Sequence, residues 1–118
     1  MNISIIAVGS ELLLGQIANT NGQYLSKLFN GVGKNVVEHT VIGDNPERLE
    51  YIIRQGLERF DMLVLTGGLG PTKDDLTKHT VAKVLNKDLV TDEASLDYIK
   101  SYFEDQGQEM TPNNKQQA

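Results

Sequence analysis

Three short apolar segments, each closed by a glycine and followed by an amphipathic segment, constrain the fold more than any other feature. The apolar segments are residues 3–8, 36–42 and 62–66. Their length, their β-branched content and their closing glycines favour strands over buried helices. Strands that alternate with helices form a parallel sheet through right-handed crossovers, and ligands bind at the carboxyl ends of such strands. The sequence therefore predicts an α/β domain.

Apolar residues at helical spacing follow each predicted strand. They are Tyr24, Leu25, Leu28 and Phe29, then Leu49, Ile52, Ile53 and Leu57, and then Val81, Val84 and Leu85. We expect Asn45 to cap the second helix and Pro46 to occupy its first position. A fourth helix is predicted after residues 91–92 and a fifth from residues 111–112. The inward residues of the fourth helix are expected to be Leu96, Ile99 and Phe103.

The chain of 118 residues fits a single domain. Three strands make a small sheet for a doubly wound fold, and the sequence stops where a new helix begins. We therefore expect residues 1–118 to be one domain that is incomplete at its carboxyl end.

Composition excludes several kinds of site and partner. The chain has no cysteine, which excludes disulfides and thiolate metal sites and fits a reducing compartment. The net charge of −5 argues against nucleic-acid binding, which depends on clustered Lys and Arg. Residues 1–6 lack a basic leader and form an apolar run too short to span a bilayer. We expect a cytoplasmic protein with neither a nucleic-acid nor a membrane partner.

The glycine-rich segment at residues 66–75 is the strongest functional signal. Its glycines permit positive φ and bring backbone N–H groups close to a ligand, while the next helix adds a partial positive charge. The predicted phosphate contacts are Thr66, Gly67, Gly68, Gly70 and Thr72. Candidate caps for that helix are Thr72, Asp74 and Thr77. The segment has neither the Walker A order nor G-x-G-x-x-G, and an ordinary glycine turn is the alternative.

Carboxylates accompany this segment. Asp74 and Asp75 either complement the helix amino end or hold a divalent metal beside ligand oxygens. Asp44 follows the second strand, so it would reach the same sheet edge; its alternative role is a turn or cap. Lys73 could offset ligand charge directly. The predicted metal ligands are Asp44, Asp74 and Asp75.

A third polar segment follows the first strand. Gly9, Ser10 and Glu11 come directly after it, and residues 19–21 suit either a helix cap or ligand contact through Asn21. We expect three polar segments to converge on one edge of the sheet. His39 and His79 have neither a neighbouring nucleophile nor a second metal ligand, and we interpret both as structural.

Five motifs together resemble a known family. Residues 9–17, 19–21, 41–45, 66–77 and 110–114 look like those of the amino-terminal domain of the competence/damage-inducible protein family, CinA, in the same order. The resemblance covers nearly the whole chain. This domain is similar to the molybdopterin-binding domain of molybdenum-cofactor biosynthesis, which implies a three-layer α/β/α fold with a mostly parallel sheet.

The resemblance implies two functions. In the cofactor-biosynthesis relatives the glycine loop binds the pterin phosphate, and positions corresponding to Asp44 and Asp75 are functional. In the competence family the domain is associated with pyrophosphate hydrolysis of ADP-ribose, which implies Mg²⁺, Mn²⁺ or Co²⁺, and a separate domain, absent from this sequence, deamidates nicotinamide mononucleotide. Leu69 and Ser10 depart from the cofactor-biosynthesis pattern, which has a small polar and an acidic residue there, and weaken the pterin interpretation.

Three functional hypotheses follow. The first is a metal-dependent hydrolase of the ADP-ribose pyrophosphatase type, in which Asp44, Asp75 and Lys73 are catalytic. The second is a non-catalytic module that binds a pterin phosphate or a nucleotide. The third is a scaffold whose partner contacts are made by residues 88–109, which carry a net charge of −6. We expect a small anionic ligand and a homo-oligomeric assembly.

Overall fold

Three parallel strands form one sheet in the computed structural model, which describes residues 1–118. The strands are β1 (Asn2–Val8), β2 (Asn35–Ile42) and β3 (Met62–Thr66). Their order is β2-β1-β3, so β1 lies in the middle and pairs in parallel with both neighbours. These bounds agree with the predicted strands to within one residue at each end, and the predicted parallel α/β sheet is confirmed.

The chain also forms six helices. They are α1 (Ser10–Leu13), α2 (Thr20–Gly31), α3 (Pro46–Arg59), α4 (Thr77–Leu85), α5 (Glu93–Asp105) and a 3₁₀ helix (Pro112–Gln117). The Asn45 side chain accepts the Arg48 N–H at 3.1 Å and Pro46 is the first helical residue, as predicted. The fifth predicted helix is present as the 3₁₀ helix. None of the helices combines the length and the apolar character needed to cross a membrane.

The sheet is covered on both faces. Ile6, Val8 and Ile42 pack against α3 and α4 on one face. The alternate residues of β1 point to the other face, where α2 contacts β1 and β2. Because β2 and β3 lie on opposite sides of β1, right-handed crossovers place α2 and α3 on opposite faces. The expected three-layer α/β/α architecture is confirmed.

The inward stripe of α2 differs from the prediction. Tyr24 and Leu28 were expected to face inward but are 67% and 49% exposed. Gly22 is buried, and the Ser26 hydroxyl bonds to the Gly22 carbonyl oxygen at 2.9 Å and contacts the His39 ring. Small residues let the helix approach β2 at this point, so the contact stripe is rotated. The contact between Ser26 and His39 joins α2 to β2.

Two other predicted core positions are also at the surface. Leu57 at the end of α3 is 50% exposed, and Leu85 at the end of α4 is 49% exposed. Both lie in the last turn of their helix. Leu96, Ile99 and Phe103 are the half-buried face of α5, as predicted.

Both outer strands of the sheet, β2 and β3, have an unpaired side, and β3 is the one that leads into the glycine-rich segment. β3 pairs with β1 only, so the opposite side of β3 is an edge of the sheet. All five of its residues are half-buried. The carboxyl end of this strand leads directly into the glycine-rich segment, which therefore begins at the margin of the sheet and next to its central strand.

Candidate functional site

Two glycines in the left-handed region follow β3 where it lies beside the end of β1. Gly67 has φ +85° and Gly68 has φ +67°. A Cβ atom on Gly67 would lie 2.1 Å from the carbonyl oxygen of Val8, and one on Gly68 would lie 2.1 Å from the Thr77 hydroxyl oxygen. Both positions therefore require glycine, for the backbone angle and for the space. The two glycines bring the loop backbone directly against the central strand.

Thr77, the first residue of α4, fixes the orientation of these glycines. Its side chain is buried, its hydroxyl donates to the Gly67 carbonyl oxygen at 2.7 Å, and its N–H donates to the Gly68 carbonyl oxygen at 3.2 Å. The N–H of each planar trans peptide points away from its carbonyl. The Gly68 and Leu69 N–H groups therefore point away from α4. The prediction that a loop side chain caps this helix is wrong, because α4 has no side-chain cap.

Three consecutive backbone donors remain available in the loop. The N–H groups of Gly67, Gly68 and Leu69 donate to no acceptor within the protein. Successive backbone N–H groups in a turn can form a concave nest that suits an anion. This arrangement supplies hydrogen-bond donors without a charged side chain, which fits the phosphate role predicted from the sequence.

A cavity of about 140 Å³ lies between this loop and the start of α2. Four predicted ligand contacts line it: Glu11, Asn21, Thr66 and Gly67. The Asn21 amide donates to the Thr66 hydroxyl at 3.3 Å and joins the two walls. Pockets for whole drug-sized ligands are commonly about 300–1,000 Å³, so this cavity suits one portion of a ligand, such as a phosphate or a ribose. The larger surface grooves, of about 330–360 Å³, contain none of the predicted site residues.

The segment after β1 joins the ends of two strands and also lines the cavity. A Cβ atom on Gly9 would lie 2.6 Å from the Glu11 carboxylate, so glycine leaves room for that side chain beside the cavity. The Gly9 N–H donates to the Ile42 carbonyl oxygen at 2.8 Å, and the Ser10 hydroxyl accepts the Asp44 N–H at 3.1 Å. Gly9 and Ser10 thus join the ends of β1 and β2, while Glu11 lines the cavity.

Two of the three predicted metal ligands share a second, much smaller cleft. Asp44 and Asp74 line it together with Val8, which also lines the cavity. The chain has no cluster of three or more His, Cys, Asp or Glu side chains that could hold a metal ion unaided. Mg²⁺ is commonly held by one or two carboxylates plus phosphate oxygens of a substrate, so this pair fits such an ion together with a ligand.

Asp75 stabilises the loop itself. Its carboxylate accepts the Thr72 hydroxyl at 2.7 Å and the Thr72 N–H at 2.9 Å. The pKa of Asp75 lies below its ordinary value, mainly because the Thr72 hydroxyl donates to the carboxylate. The Thr72 N–H and the Gly70 N–H lower this pKa further, in that order of size. Lys73 is exposed on the same turn. Gly70, Thr72 and Asp75 therefore form a closed turn, and no cavity brings them together with Glu11.

We expect Thr72→Ala to raise the pKa of Asp75 toward its ordinary value, because the hydroxyl that stabilises the carboxylate is lost. A depressed pKa contributes stability at neutral pH that is lost as the pH falls through the folded-state value, and the variant should lose less stability on acidification. NMR titration of the Asp75 carboxyl carbon measures the shift. Thr72→Ser keeps the hydroxyl and is the control; an unchanged pKa in Thr72→Ala would contradict the assignment.

Sequence reasoning missed two features of the site. Thr77 was considered only as a helix cap, whereas it orients the two glycines. Gln116 was not considered, although its side-chain amide reaches the glycine loop. The only signal near it is the motif at residues 110–114, which the resemblance includes and which lies just before it.

The fold and the site define a class of protein: a parallel α/β domain with a glycine loop at its topological switch point, between β1 and β3, which are followed by α2 and α4 on opposite faces of the sheet. A sequence family described as "Probable molybdopterin binding domain" matches residues 4–116. The chain belongs to this family.

Known relatives agree with this assignment. A competence-damage inducible protein of Shouchella clausii is 58% identical over the whole chain, which spans 28% of that protein. A crystal structure of CinA from Thermoplasma acidophilum, of unknown function, has a TM-score of 0.84 and 36% identity over 97% of this chain and 66% of that one. The structure of the Thermus thermophilus molybdopterin biosynthesis enzyme MoaB has a TM-score of 0.68 and 19% identity. The match covers 75% of this chain and 57% of MoaB, and it supports the fold alone. The chain thus spans less than a third of the curated relative's length.

Proposed function

We propose that this domain binds a phosphate group of a nucleotide-class or pterin-class ligand in the nest of residues 67–69. The observation that supports it most is the set of three consecutive N–H groups with no protein acceptor, two of them on glycines at positive φ, beside the end of the central strand. These backbone donors favour an anion, although no basic side chain lines the cavity.

The rest of the cavity favours a ligand that carries hydroxyl or N–H groups beside its phosphate. The Glu11 carboxylate lines the cavity and accepts hydrogen bonds, which ribose hydroxyls can donate. Asn21 offers an amide on the same wall. A nucleotide diphosphate of the ADP-ribose type has both a diphosphate and ribose hydroxyls, so it is the substrate class that we propose first.

Hydrolysis of this ligand adds water across the diphosphate and releases AMP and ribose 5-phosphate. Asp44 and Asp74 would hold a divalent cation, Mg²⁺, Mn²⁺ or Co²⁺, which when bound neutralises phosphate charge and makes water more acidic. The nest holds one phosphate in position, and Lys73 offsets charge that develops on the diphosphate. Asp75 maintains the turn that presents Lys73 and Asp74.

A binding module without chemistry is the second candidate. The family description names molybdopterin, and the Glu11 carboxylate would also accept the N–H groups of a pterin ring. In this case the nest would hold the pterin phosphate, and Asp44 and Asp74 would serve the turn geometry of their loops. Binding without turnover distinguishes this candidate from the hydrolase.

We expect the full-length protein to release AMP from ADP-ribose when Mg²⁺, Mn²⁺ or Co²⁺ is present, measured by chromatography of the products. Asp44→Asn and Asp74→Asn should each lower kcat/KM by about tenfold or more, because each removes a charge that would face the cation. Asp75→Asn should lower it too, since the neutral amide weakens the turn to Thr72.

Asp97→Asn is the matched control, since Asp97 is exposed on α5 and lines none of these pockets. Absence of hydrolysis with all three metals, together with tight binding of a pterin phosphate, would support the second candidate and overturn the first. Equal rates in the parent and in all three site variants would overturn the site assignment.

A further inference from the structure

Gln116 joins the end of the described chain to the glycine loop. Its side-chain nitrogen donates to three backbone carbonyl oxygens: that of Gly70 at 3.0 Å, that of Thr72 at 3.1 Å and that of Asp75 at 3.3 Å. A glutamine amide has two N–H donors, so one of them is shared between two carbonyls. Because all three partners are acceptors, the NH₂ end of the amide, and not its oxygen, must face the loop.

The helix that carries Gln116 is itself held in place. The Asn114 side-chain oxygen accepts both the Thr111 N–H at 3.0 Å and the Thr111 hydroxyl at 2.8 Å, which is a capping arrangement at the start of the 3₁₀ helix. At its other end, the Ala118 carbonyl oxygen accepts the N–H of Asp92, the residue that caps α5. Gln116 therefore contacts the loop from a segment fixed at both ends.

The loop has two halves with different supports. Thr77 fixes the glycine half, at Gly67 and Gly68. Residues 70–75 have no regular secondary structure, and their other hydrogen bonds join Thr72 and Asp75 within the same turn. Gln116 supplies the hydrogen bonds that connect this turn to a distant part of the chain.

We propose that Gln116 is a positioning residue, which holds the turn of residues 70–75 in the conformation that the loop needs to bind its anionic ligand. The three carbonyl oxygens point toward Gln116, so the orientation of their peptide planes is fixed. The turn carries Lys73 and Asp74, the two exposed charged groups assigned to the ligand. The effect on ligand binding rests on the proposed function, whereas the effect on the turn does not.

The test compares Gln116→Glu with Gln116→Met and Gln116→Lys in the full-length protein. Glutamate has the same shape but places a carboxylate against three carbonyl oxygens; methionine removes the donors without adding charge; lysine restores donors on a long side chain. We expect amide hydrogen exchange in residues 70–75 to accelerate by about tenfold in the first two variants, as expected for the loss of one or two hydrogen bonds, and to return toward the parent rate in Gln116→Lys.

Binding of inorganic pyrophosphate, measured by calorimetry, is the second measurement. We expect about tenfold weaker binding in Gln116→Glu and Gln116→Met and partial recovery in Gln116→Lys. Gln117→Glu is the matched control, because it makes the same change one residue away and keeps the oxygen that accepts the Asn114 amide. Unchanged exchange in β1 shows that the fold is intact.

The outcomes separate the two proposals. Parental exchange rates at residues 70–75 in Gln116→Glu and Gln116→Met would overturn the role of Gln116, whatever binds. If Gln116→Glu and Gln116→Met exchange faster but the parent protein binds neither pyrophosphate nor ADP-ribose, the proposed function is overturned. The role of Gln116 in supporting the turn is then retained. Faster exchange with parental pyrophosphate affinity would show that the turn is not needed for binding, which would also overturn the inference.

Discussion

Gly67→Ala should lower the free energy of unfolding substantially and abolish phosphate binding. The left-handed φ of +85° costs a non-glycine residue about 1–2 kcal/mol. The new Cβ atom would also lie 2.1 Å from the Val8 carbonyl oxygen, and overpacking against fixed backbone costs a further ~1–3 kcal/mol. The structure can relieve this clash only by moving the end of β3 away from β1, which displaces the three N–H groups of the nest.

Gly33→Ala is the matched control for this change. Gly33 has φ +78°, but a Cβ atom there would meet nothing within 4 Å. It should therefore lose only the backbone contribution, about 1–2 kcal/mol. Chemical denaturation of both variants measures the difference, and calorimetry with inorganic pyrophosphate measures binding. Equal losses of stability in the two variants would show that Gly67 does not lie against Val8.

Thr77→Val should destabilise the domain by about 0.5–1.5 kcal/mol, because it removes the hydroxyl donor of the Gly67 carbonyl in a part-buried hydrogen bond. Valine has nearly the same shape as threonine, so little packing is lost. The Gly67–Gly68 peptide should then rotate more freely, and pyrophosphate affinity should fall in parallel with stability. Thr77→Ser keeps the hydroxyl and should retain most of both.

Thr80→Val provides a control on the same helix. Thr80 is also buried, but its hydroxyl donates to the Leu76 carbonyl oxygen, which already accepts the Thr80 N–H at 2.9 Å. Removing that hydroxyl leaves no carbonyl without a donor, so the loss of stability should be smaller. Pyrophosphate affinity that falls as much in Thr80→Val as in Thr77→Val would rule out a specific role for the Thr77 hydroxyl.

The strands and most helix limits could be predicted because they depend on local patterns. Buried strands such as β1 require continuous apolar residues, and caps such as Asn45 require a particular side chain at one position. The burial of α2 could not be predicted in detail. A helical pattern identifies an apolar stripe, but the approach of Gly22 and Ser26 to β2 depends on the neighbouring strand.

The location of the site could be predicted from the sequence, but the roles of its individual residues could not. Strand ends followed by glycines and carboxylates place polar groups at one edge of a parallel sheet. Which carboxylates face one another depends on loop geometry: Asp44 and Asp74 share a cleft, whereas Asp75 bonds to Thr72. Gln116 illustrates the limit most clearly, since a contact across more than forty residues leaves no local pattern.

The edge strand β3 has a practical consequence for handling the protein. Met62–Thr66 contains no charged residue and no proline, the features with which proteins commonly protect an exposed strand edge. Short apolar segments of this kind are prone to intermolecular strand pairing and aggregation when uncovered. In preparations of residues 1–118 at high concentration, this strand is where self-association would begin.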